Sequence, residues 1–326
     1  MKMSIRWGVL GTADIAKGCT IPGMLQADNC ELYAIAGRNE AKAESFKTEF
    51  GFKKAYVGYD ALLADSEVKA VYIPLPNSLH CEWVIKALKA GKHVLCEKPM
   101  ALSVDEARLM YKTAEENNVI LMEAFAYLHS PYVQSLKDDI ASGIIGDIFY
   151  IDTAFVTQGY EEDIRIHKEL GGGAIYDLGC YCTTMILSLV DREPTLVKAC
   201  AQFNENGVDT FSSGIMVFEN GIRASWNVGM VLGKGTNGRM DRLYIHGTKG
   251  IIRSDVEYNQ SGELTYTIES QGKITTRKVL ARQNYALEVE QLGRCIENGE
   301  DPHVSAEFSL RNAKVIDRIL TDIGYK

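Results

Sequence analysis

The stretch "IRWGVLGTADIA", from Ile5 to Ala16, decides the fold of the first part of the chain. Its apolar run ends at Gly11, which supplies the tight turn of a G-x-G-x-x-G/A pattern, and Ala16 takes the third position of that pattern. Ala13 stands where a second glycine normally lets the backbone approach a pyrophosphate. The position after a strand and before a helix favours a dinucleotide-binding turn, whose N–H groups hold phosphates, over a plain tight turn.

Short apolar runs and helical patterns alternate after this turn. The helical stretches begin near Asn39, Ser78 and Ser103, and Glu106 follows Ser103 at the spacing of a capping box. Strands separated by helices of this length form βαβ units and a parallel sheet. The predicted strands cover residues 5–10, 31–36, 70–73, 93–96 and 120–122.

The pattern changes after Pro131, where one helix leads into long alternating segments that predict an antiparallel sheet. Hairpin turns are predicted at residues 219–221 and 270–273. A further helix is expected after Gly173, and two more from about Asn284 and Ala306. The predicted fold class is therefore α/β. A Rossmann dinucleotide-binding domain covers residues 1–124, and a C-terminal α+β domain with a large, mostly antiparallel open sheet covers residues 125–326.

Composition narrows the classes of function. The chain has 326 residues, 46% of them hydrophobic and 24% charged, with a net charge of −8, which argues against a nucleic-acid-binding face. No signal peptide or run of about 20 apolar residues is visible, so we expect a cytoplasmic protein without a membrane partner. Without zinc-type spacing among the eight cysteines, Cys180 and Cys182 are interpreted as packing residues, and no metal is expected.

The end of the second strand predicts the cofactor. An NAD site usually places Asp or Glu here to bind the ribose hydroxyls, whereas Gly37 is followed by Arg38. An arginine can hold a 2′-phosphate and stack on adenine, so NADP(H) is favoured, with NAD(H) as the alternative. The competing interpretation is that Arg38 is a solvated residue at the start of the next helix.

Two further segments follow strands at the same edge of the sheet, where open α/β folds bind ligands. "YIPLPNSLH", residues 72–80, gives a rigid turn, and "HVLCEKPM", residues 93–100, places Glu97 beside Lys98 at a buried strand end. The candidate cofactor-binding residues are Gly11, Thr12, Ala13, Asp14, Ile15, Gly37, Arg38, Pro74, Leu75, Asn77, His80, Glu97 and Lys98.

The segments "RWGVLGTADIA", "PLPNSLH", "EKPMAL", "EAFAY", "GGGAIYDLGCY", "GTKG" and "RNAKVIDRI" resemble the Gfo/Idh/MocA family of glucose-fructose oxidoreductase and inositol dehydrogenase. The resemblance covers nearly the whole chain. It implies a Rossmann domain, a second domain with a large open sheet, and hydride transfer at a carbon of a sugar or another polyol. It also places Lys98 near the nicotinamide and the substrate hydroxyl, and implies a homodimer or homotetramer formed through the C-terminal sheet.

Many members of that family carry Asp-x-x-x-His after the glycines, whereas this chain has Asp177 and Tyr181. This variant resembles dimeric dihydrodiol dehydrogenases and some sugar dehydrogenases and ketoreductases. It implies that Tyr181 is the acid/base, that Lys98 polarises the oxygen and that Asp177 orients the substrate. The glycines at 171–173 are expected to bring the backbone close to nicotinamide and substrate. The alternative is a helix N-terminal carboxylate followed by a core aromatic.

Other substrate contacts are less specific. Arg165 either contacts substrate or forms a surface ion pair, Tyr127 and His129 are candidates to line the pocket, and His167 is expected to be exposed. The predicted function is NADP-dependent hydride transfer between nicotinamide and a carbinol or carbonyl carbon of a sugar, sugar derivative or cyclic diol. A non-catalytic NADP-binding regulator and an NAD-dependent glycosidase of the same fold are the alternatives.

Overall fold

The structure is a computed structural model that describes residues 4–233 and 238–326. The first three residues, which belong to the segment inspected for a signal peptide, lie outside the described residues. The chain divides into two compact units. The first comprises the described residues up to His129 together with Arg282–Leu310, and the second comprises Ser130–Ala281 together with Arg311–Lys326.

The first unit contains a six-stranded sheet in which every pair of neighbours is parallel. The order β3-β2-β1-β4-β5-β6 is that of a Rossmann sheet and confirms the fold class predicted for this part of the chain. The strands are β1 (Ile5–Leu10), β2 (Cys30–Gly37), β3 (Lys54–Val57), β4 (Ala70–Ile73), β5 (His93–Glu97) and β6 (Leu121–Ala124).

The edge strand β3 was not predicted from the sequence. It has four residues, "KAYV", and none of them is fully buried. An edge strand of this kind lacks the continuous apolar run that reveals a strand buried on both faces. The other five strands match the predicted ones to within one or two residues.

Five α-helices lie in residues 4–129, and the three longest begin where the sequence predicts. They are α1 (Ile21–Met24), α2 (Glu40–Phe50), α3 (Tyr59–Leu63), α4 (Asn77–Lys89) and α5 (Val104–Glu116). The Asn39 side chain caps α2 by accepting the Lys42 N–H at 2.9 Å. Ser103 caps α5 by accepting the Glu106 N–H at 3.2 Å, while the Glu106 carboxylate accepts the Leu102 N–H at 2.8 Å. The predicted capping signal is therefore confirmed, with its return bond one residue earlier than in a standard capping box.

The second unit contains an eight-stranded sheet with the order β14-β13-β12-β11-β7-β10-β9-β8. Among the strands that the structure describes, only the pair β7 and β10 is parallel, so the predicted mostly antiparallel sheet is confirmed. The strands are β7 (Ile148–Gln158), β8 (Leu196–Phe203), β9 (Asp209–Val217), β10 (Arg223–Leu232), β11 (Met240–Gly247), β12 (Gly250–Ser254), β13 (Gly262–Ser270) and β14 (Lys273–Ala281).

Both predicted hairpin turns are present. The first joins β9 to β10, with the Gly221 N–H donating to the Phe218 carbonyl at 3.0 Å. The second joins β13 to β14 through Gln271 and Gly272, whose φ angles of 52° and 73° match a type I′ turn.

The later helices are α6 (Pro131–Ala141), α7 (Cys180–Val190), α8 (Asn284–Asn298) and α9 (Ala306–Asp322). One π-helical turn, Ile175–Gly179, leads directly into α7. The stretch Lys168–Val190 is apolar and long enough to pass a length-and-composition test for a membrane span. However, 83% of its most apolar window is buried inside the protein, as in a core helix.

The helix α8 belongs to the first unit, whereas the predicted boundary near residue 124 assigns it to the second domain. The Asn29 amide donates to the Glu290 carbonyl on α8 at 3.0 Å. A Cβ on Gly293 would lie 2.2 Å from the Asn29 amide nitrogen, so only glycine allows this close packing. The sequence predicted the helix but not this assignment, because amphipathicity does not reveal the surface against which a helix packs.

Candidate active site

The candidate cofactor residues follow the carboxyl ends of four neighbouring strands in the first unit. In the sheet register Leu10 lies beside Ala36, Val9 beside Tyr72 and Ile73 beside Cys96. The segments that follow β1, β2, β4 and β5 therefore emerge at one edge of the sheet. The order of the sheet reverses between β1 and β4, and ligands bind at such a switch point in open α/β folds.

The turn after β1 requires glycine at its first position. Gly11 has φ of +129° and donates its N–H to the Ala36 carbonyl at 2.9 Å, and a Cβ added to it would lie 3.2 Å from the Leu75 side chain. Helical hydrogen bonding begins with the Lys17 N–H donating to the Ala13 carbonyl at 3.0 Å. The preceding N–H groups belong to a first helical turn, which has no intrahelical acceptors and is suited to phosphate. Thr12, Ala13, Asp14 and Ile15 all lie in this segment.

Arg38 lies exposed immediately after β2. Its guanidinium interacts with the hydroxyl of Tyr59, where burial raises the pKa of that tyrosine and the charge of Arg38 acts in the opposite direction. The Tyr59 ring packs edge-on against Trp83, with 4.8 Å between ring centroids. A Cβ on the preceding Gly37 would lie 3.4 Å from Ala43 and from Thr12, which is ordinary van der Waals contact. Arg38 thus occupies the position from which a Rossmann sheet contacts the adenosine ribose.

His80 connects the segments that follow β4 and β5. Its ring is fully buried, with Nδ1 2.9 Å from the Pro99 carbonyl and Nε2 2.8 Å from the Leu75 carbonyl. Burial lowers the pKa of His80, and the hydrogen bonds to the Pro99 and Leu75 carbonyls act in the opposite direction. Both ring nitrogens face backbone carbonyls, and His80 accordingly positions the loops that carry Pro74, Leu75 and Lys98. Asn77 begins α4 in the same segment and is partly exposed.

Glu97 ends β5 and Lys98 follows it, and both lie near the carboxylate of Glu123. The buried Glu97 carboxylate accepts the Tyr72 hydroxyl at 2.5 Å and the Lys98 backbone N–H at 3.2 Å. Burial raises the pKa of the neighbouring Glu123 to about 7, and the nearby charge of Lys98 acts in the opposite direction. Lys98 itself is partly exposed.

Tyr127 and His129 lie on the short helical turn Ala126–His129 that follows β6. The Tyr127 ring is buried and meets Phe125 edge-on at 6.4 Å. His129 packs against His303, with 5.0 Å between ring centroids. Burial, together with His303, lowers the pKa of His129 to about 3, so its ring is neutral and belongs to the interior.

The glycine turn of the second unit is built for close internal packing. Gly173 has φ of +121° and donates its N–H to the Arg165 carbonyl at 2.9 Å. A Cβ on Gly172 would lie 2.4 Å from that carbonyl oxygen, and a Cβ on Gly173 would lie 2.2 Å from Asp209. These contacts give the glycines a role within their own unit, in addition to the one expected from the sequence. His167, in the same segment, has a side chain that is 44% exposed.

Asp209 holds the start of the helical segment that carries Asp177 and Tyr181. One carboxylate oxygen accepts the Ile175 N–H at 2.9 Å and the Ser212 hydroxyl at 3.0 Å. Burial raises the pKa of Asp209 to about 7, and these hydrogen bonds act in the opposite direction. The sequence analysis missed this residue, because no local pattern links Asp209 to a helix 34 residues earlier.

Asp177 is paired with Arg165. Arg165 Nε donates to the Asp177 carboxylate at 2.7 Å, and its NH1 group lies 3.0 Å from Asp163. The two carboxylates raise the pKa of Arg165 against the effect of its burial. The ion pair expected as one alternative for Arg165 is therefore present, and its partner is a candidate site residue. Arg165 thereby holds one carboxylate oxygen of Asp177.

Tyr181 lies in an aromatic cluster of the second unit. Its ring meets Phe155 at 5.5 Å and Tyr258 at 5.1 Å, and these two rings stack on each other at 5.2 Å. The Asn259 amide donates to the Tyr181 hydroxyl at 3.3 Å. Arg239 lies over the outer side of this cluster, 4.5 Å from the Phe155 ring. None of these four neighbours was predicted, since each comes from a strand or loop distant in sequence.

The two cysteines flanking Tyr181 are buried in α7. The Thr153 hydroxyl donates to Cys182 Sγ at 3.7 Å, and burial raises the pKa of the Cys182 thiol to about 12. Across residues 4–233 and 238–326 no three His, Cys, Asp or Glu side chains are grouped so that they could hold a metal ion.

Comparison with known proteins identifies the family. Residues 5–125 match the GFO/IDH/MocA family described as "Oxidoreductase family, NAD-binding Rossmann fold". Residues 133–253 match the family described as "GFO/IDH/MocA C-terminal domain". The resemblance drawn from the sequence motifs is thereby confirmed.

Relatives match over nearly the full chain. The chain is 34% identical over 319 residues to D-xylose 1-dehydrogenase (NADP(+)) 2 of Haloferax volcanii, covering 96% of this chain and 95% of the relative. It is 30% identical over 332 residues to trans-1,2-dihydrobenzene-1,2-diol dehydrogenase of Xenopus tropicalis, covering 99% of both. The structure of KijD10, a 3-ketoreductase from Actinomadura kijaniata in complex with NADP and TDP-benzene, superposes with a TM-score of 0.92 at 30% identity, covering 98% of each chain. On this evidence the chain belongs to the GFO/IDH/MocA family of oxidoreductases.

Proposed function

We propose that this enzyme transfers hydride between NADP(H) and a carbinol or carbonyl carbon of a sugar, sugar derivative or cyclic diol, with Tyr181 as the acid/base. The main support for this proposal is the setting of Tyr181. Its hydroxyl accepts a hydrogen bond from an amide, and it lies one helical turn after Asp177, whose carboxylate is paired with Arg165. The named activities of relatives on xylose, a cyclic diol and a keto sugar support this range of substrates.

The residues after β1 and β2 fit the cofactor. Gly11 forms a turn that a Cβ would crowd against Leu75, and the first helical turn presents N–H groups for the phosphates. Arg38 would hold the 2′-phosphate that distinguishes NADP(H) from NAD(H). When bound, the cofactor supplies or accepts the hydride at its nicotinamide ring.

The protein's own residues move the proton and stabilise charge. In the oxidation direction Tyr181 takes the proton of the substrate hydroxyl, the carbon loses hydride and a carbonyl group forms. In the reduction direction Tyr181 returns that proton to the carbonyl oxygen. The Lys98 ammonium stabilises the negative charge that develops on this oxygen. Asp177, paired with Arg165, accepts a hydrogen bond from a neighbouring substrate hydroxyl.

Two substitutions test this assignment. Lys98→Met and Tyr181→Phe should each lower turnover by on the order of a hundredfold or more, because each removes a group that acts in the transition state. NADPH binding, measured by fluorescence titration, should remain largely unchanged. A screen of sugars, inositols and diols with NADP⁺ and NAD⁺ at several pH values would identify the substrate, and release of NADPH during turnover would distinguish a dehydrogenase from a glycosidase.

Matched substitutions serve as controls. Tyr176→Phe removes a buried hydroxyl from the turn preceding Tyr181, and Lys89→Met removes an ammonium at the end of α4. Both should leave turnover near that of the unmodified enzyme. Full activity of Tyr181→Phe would show that the proposed proton donor is wrong.

We also infer that two copies pair through the outer face of the eight-stranded sheet. Apolar side chains on this face are well exposed, including Ile215 at 49% and Val231 at 46%. Such exposed apolar surface is commonly an interface. The expected cytoplasmic location and the absence of membrane and nucleic-acid partners stay predictions.

A further inference from the structure

The side chain of Asn259 contacts the hydroxyl oxygen of Tyr181. Its amide nitrogen donates to that oxygen at 3.3 Å. An amide NH₂ group donates and does not accept, so the tyrosine oxygen is the acceptor and its own O–H bond must point elsewhere. A donor on the oxygen also stabilises the phenolate more than the neutral phenol. The contact therefore favours the form of Tyr181 that removes a proton.

The backbone of Asn259 is in an unusual conformation. Its φ is +63°, in the left-handed region that few residues other than glycine adopt, although asparagine tolerates it better than most. The residue lies between β12 and β13, in a segment that makes a turn at Tyr258 and Asn259. An asparagine at position 259 thus has two separate explanations: it tolerates the left-handed backbone conformation, and it supplies the amide group.

A charged pair holds the turn in place. The Asp241 carboxylate accepts the Tyr258 N–H at 3.0 Å, and Arg239 donates to the Tyr258 carbonyl at 3.1 Å. Arg239 and Asp241 are joined to each other by a 2.5 Å contact between Nε and a carboxylate oxygen. Because both backbone groups of Tyr258 are fixed, the next residue, Asn259, has a fixed starting position from which to reach Tyr181.

The charged side chains near Tyr181 that the structure describes are themselves paired with opposite charges. Arg239 is electrostatically coupled to Tyr181, but its guanidinium is accompanied by Asp241 and by Glu257 at 3.5 Å. Asp177, one turn before Tyr181, is paired with Arg165. The ring of Tyr258, a second phenol, packs against the Tyr181 ring. Among these groups of the second unit, the Asn259 amide makes a direct hydrogen bond to the tyrosine oxygen.

We propose that Asn259 is a positioning residue for proton transfer: its amide orients the Tyr181 hydroxyl toward substrate and stabilises the phenolate. This inference rests on the proposed function of Tyr181 as the acid/base. The hydrogen bonds that Arg239 and Asp241 make with the Tyr258 backbone hold the turn that positions this amide.

Two substitutions separate the amide from the backbone. Asn259→Gly accepts the left-handed conformation without strain but lacks the donor. Asn259→Asp keeps the shape and tolerates the same conformation, but it replaces the donor with an anion that disfavours phenolate. Asn118→Gly is the matched control, because Asn118 is also left-handed, with φ of 54°, and lies two residues after the end of α5.

The measurements are kcat and KM for oxidation across pH, and the ultraviolet absorbance titration of tyrosinate without substrate. Asn259→Gly should lower kcat by on the order of tenfold with KM nearly unchanged, since the lost bond is to a group that becomes charged. Asn259→Asp should raise the pH of the half-maximal oxidation rate by about one unit. Asn118→Gly should change neither quantity. A wild-type pH profile for both Asn259 variants would overturn the inference.

Combination with Tyr181→Phe distinguishes a failure of this inference from a failure of the proposed function. In that background the Asn259 substitutions should have no further effect on kcat, and a full additional loss would overturn the inference. If Tyr181→Phe alone keeps full activity, the acid/base assignment fails. Subtracting the tyrosinate titration of the Tyr181→Phe counterpart from that of each variant still isolates the titration of Tyr181. An unchanged midpoint for Tyr181 in Asn259→Asp would overturn the inference.

Discussion

At the end of β2 a single side chain is expected to set the choice of cofactor. Arg38 is exposed, follows Gly37 and interacts with the Tyr59 hydroxyl. Arg38→Ala should weaken NADPH by on the order of tenfold or more and NADH much less, because only NADPH carries the 2′-phosphate that a guanidinium binds in bidentate fashion. Fluorescence titration with both cofactors measures the difference.

The control for Arg38→Ala is Lys42→Ala, which removes another exposed cation two residues into α2. This substitution changes the net charge equally but is expected to affect the two cofactors equally and weakly. Equal losses of NADPH and NADH affinity in Arg38→Ala would contradict the assignment of Arg38 to the 2′-phosphate.

Candidate residues were predictable from sequence where a short motif fixes their place. Arg38, Lys98, Asp177 and Tyr181 each follow a strand end or a glycine turn at a fixed spacing. Asn259 was not predictable, because it meets Tyr181 across 78 residues of chain. Its position depends on strand pairing and on the hydrogen bonds that hold the Tyr258 backbone. No local sequence pattern predicts either of these. The roles of all these residues in catalysis stay predictions.

Among the helices, α8 combines a confirmed prediction with an unexpected feature. Its position in the sequence was predicted, yet it carries Glu288, which is fully buried and has no hydrogen-bond partner for either carboxylate oxygen among the described residues. Burial, and next the charge of Glu97, raises the pKa of Glu288 well above its usual value. The buried Glu288 carboxyl group therefore retains a proton that the same group in an unfolded chain loses.

This difference predicts a pH dependence of stability. Above the unfolded value of about 4.5, the native chain binds one more proton than the unfolded chain, so the free energy of unfolding falls as pH rises. Glu288→Gln keeps the shape of the neutral carboxyl group and abolishes this proton uptake. Its melting temperature should exceed that of the unmodified protein by about 3 °C at pH 8, and the gain should vanish near pH 4.5.

Glu297→Gln provides the control on the same helix, because Glu297 is exposed. Its melting temperature should follow that of the unmodified protein at every pH, as recorded by circular dichroism or calorimetry. A lower melting temperature of Glu288→Gln at pH 8 would show that the carboxylate is charged and stabilised in the folded protein.

At the scale of the whole molecule, the alternation of β9 and β10 gives the large sheet one buried face and one face with exposed apolar side chains. Met216 and Trp226 point to the buried face, whereas Ile215 on the opposite face is 49% exposed. The sequence pattern predicted this alternation, whereas only the family resemblance implied pairing of the sheet with a second copy, because burial by a second copy leaves no separate periodic signal. Ile215 is thus the side chain with which to examine the proposed pairing of two copies.

Ile215→Lys should convert the dimer or tetramer to a monomer, because two copies would bring lysine side chains into an apolar interface where an unpaired charge is costly. Sedimentation velocity over a range of protein concentrations measures the state. Leu109→Lys, which changes a 50% exposed leucine on α5 of the first unit, should keep the oligomeric state of the unmodified protein. If the unmodified protein is a monomer at every concentration, or if only Leu109→Lys dissociates the assembly, the outer face of the sheet is not the interface.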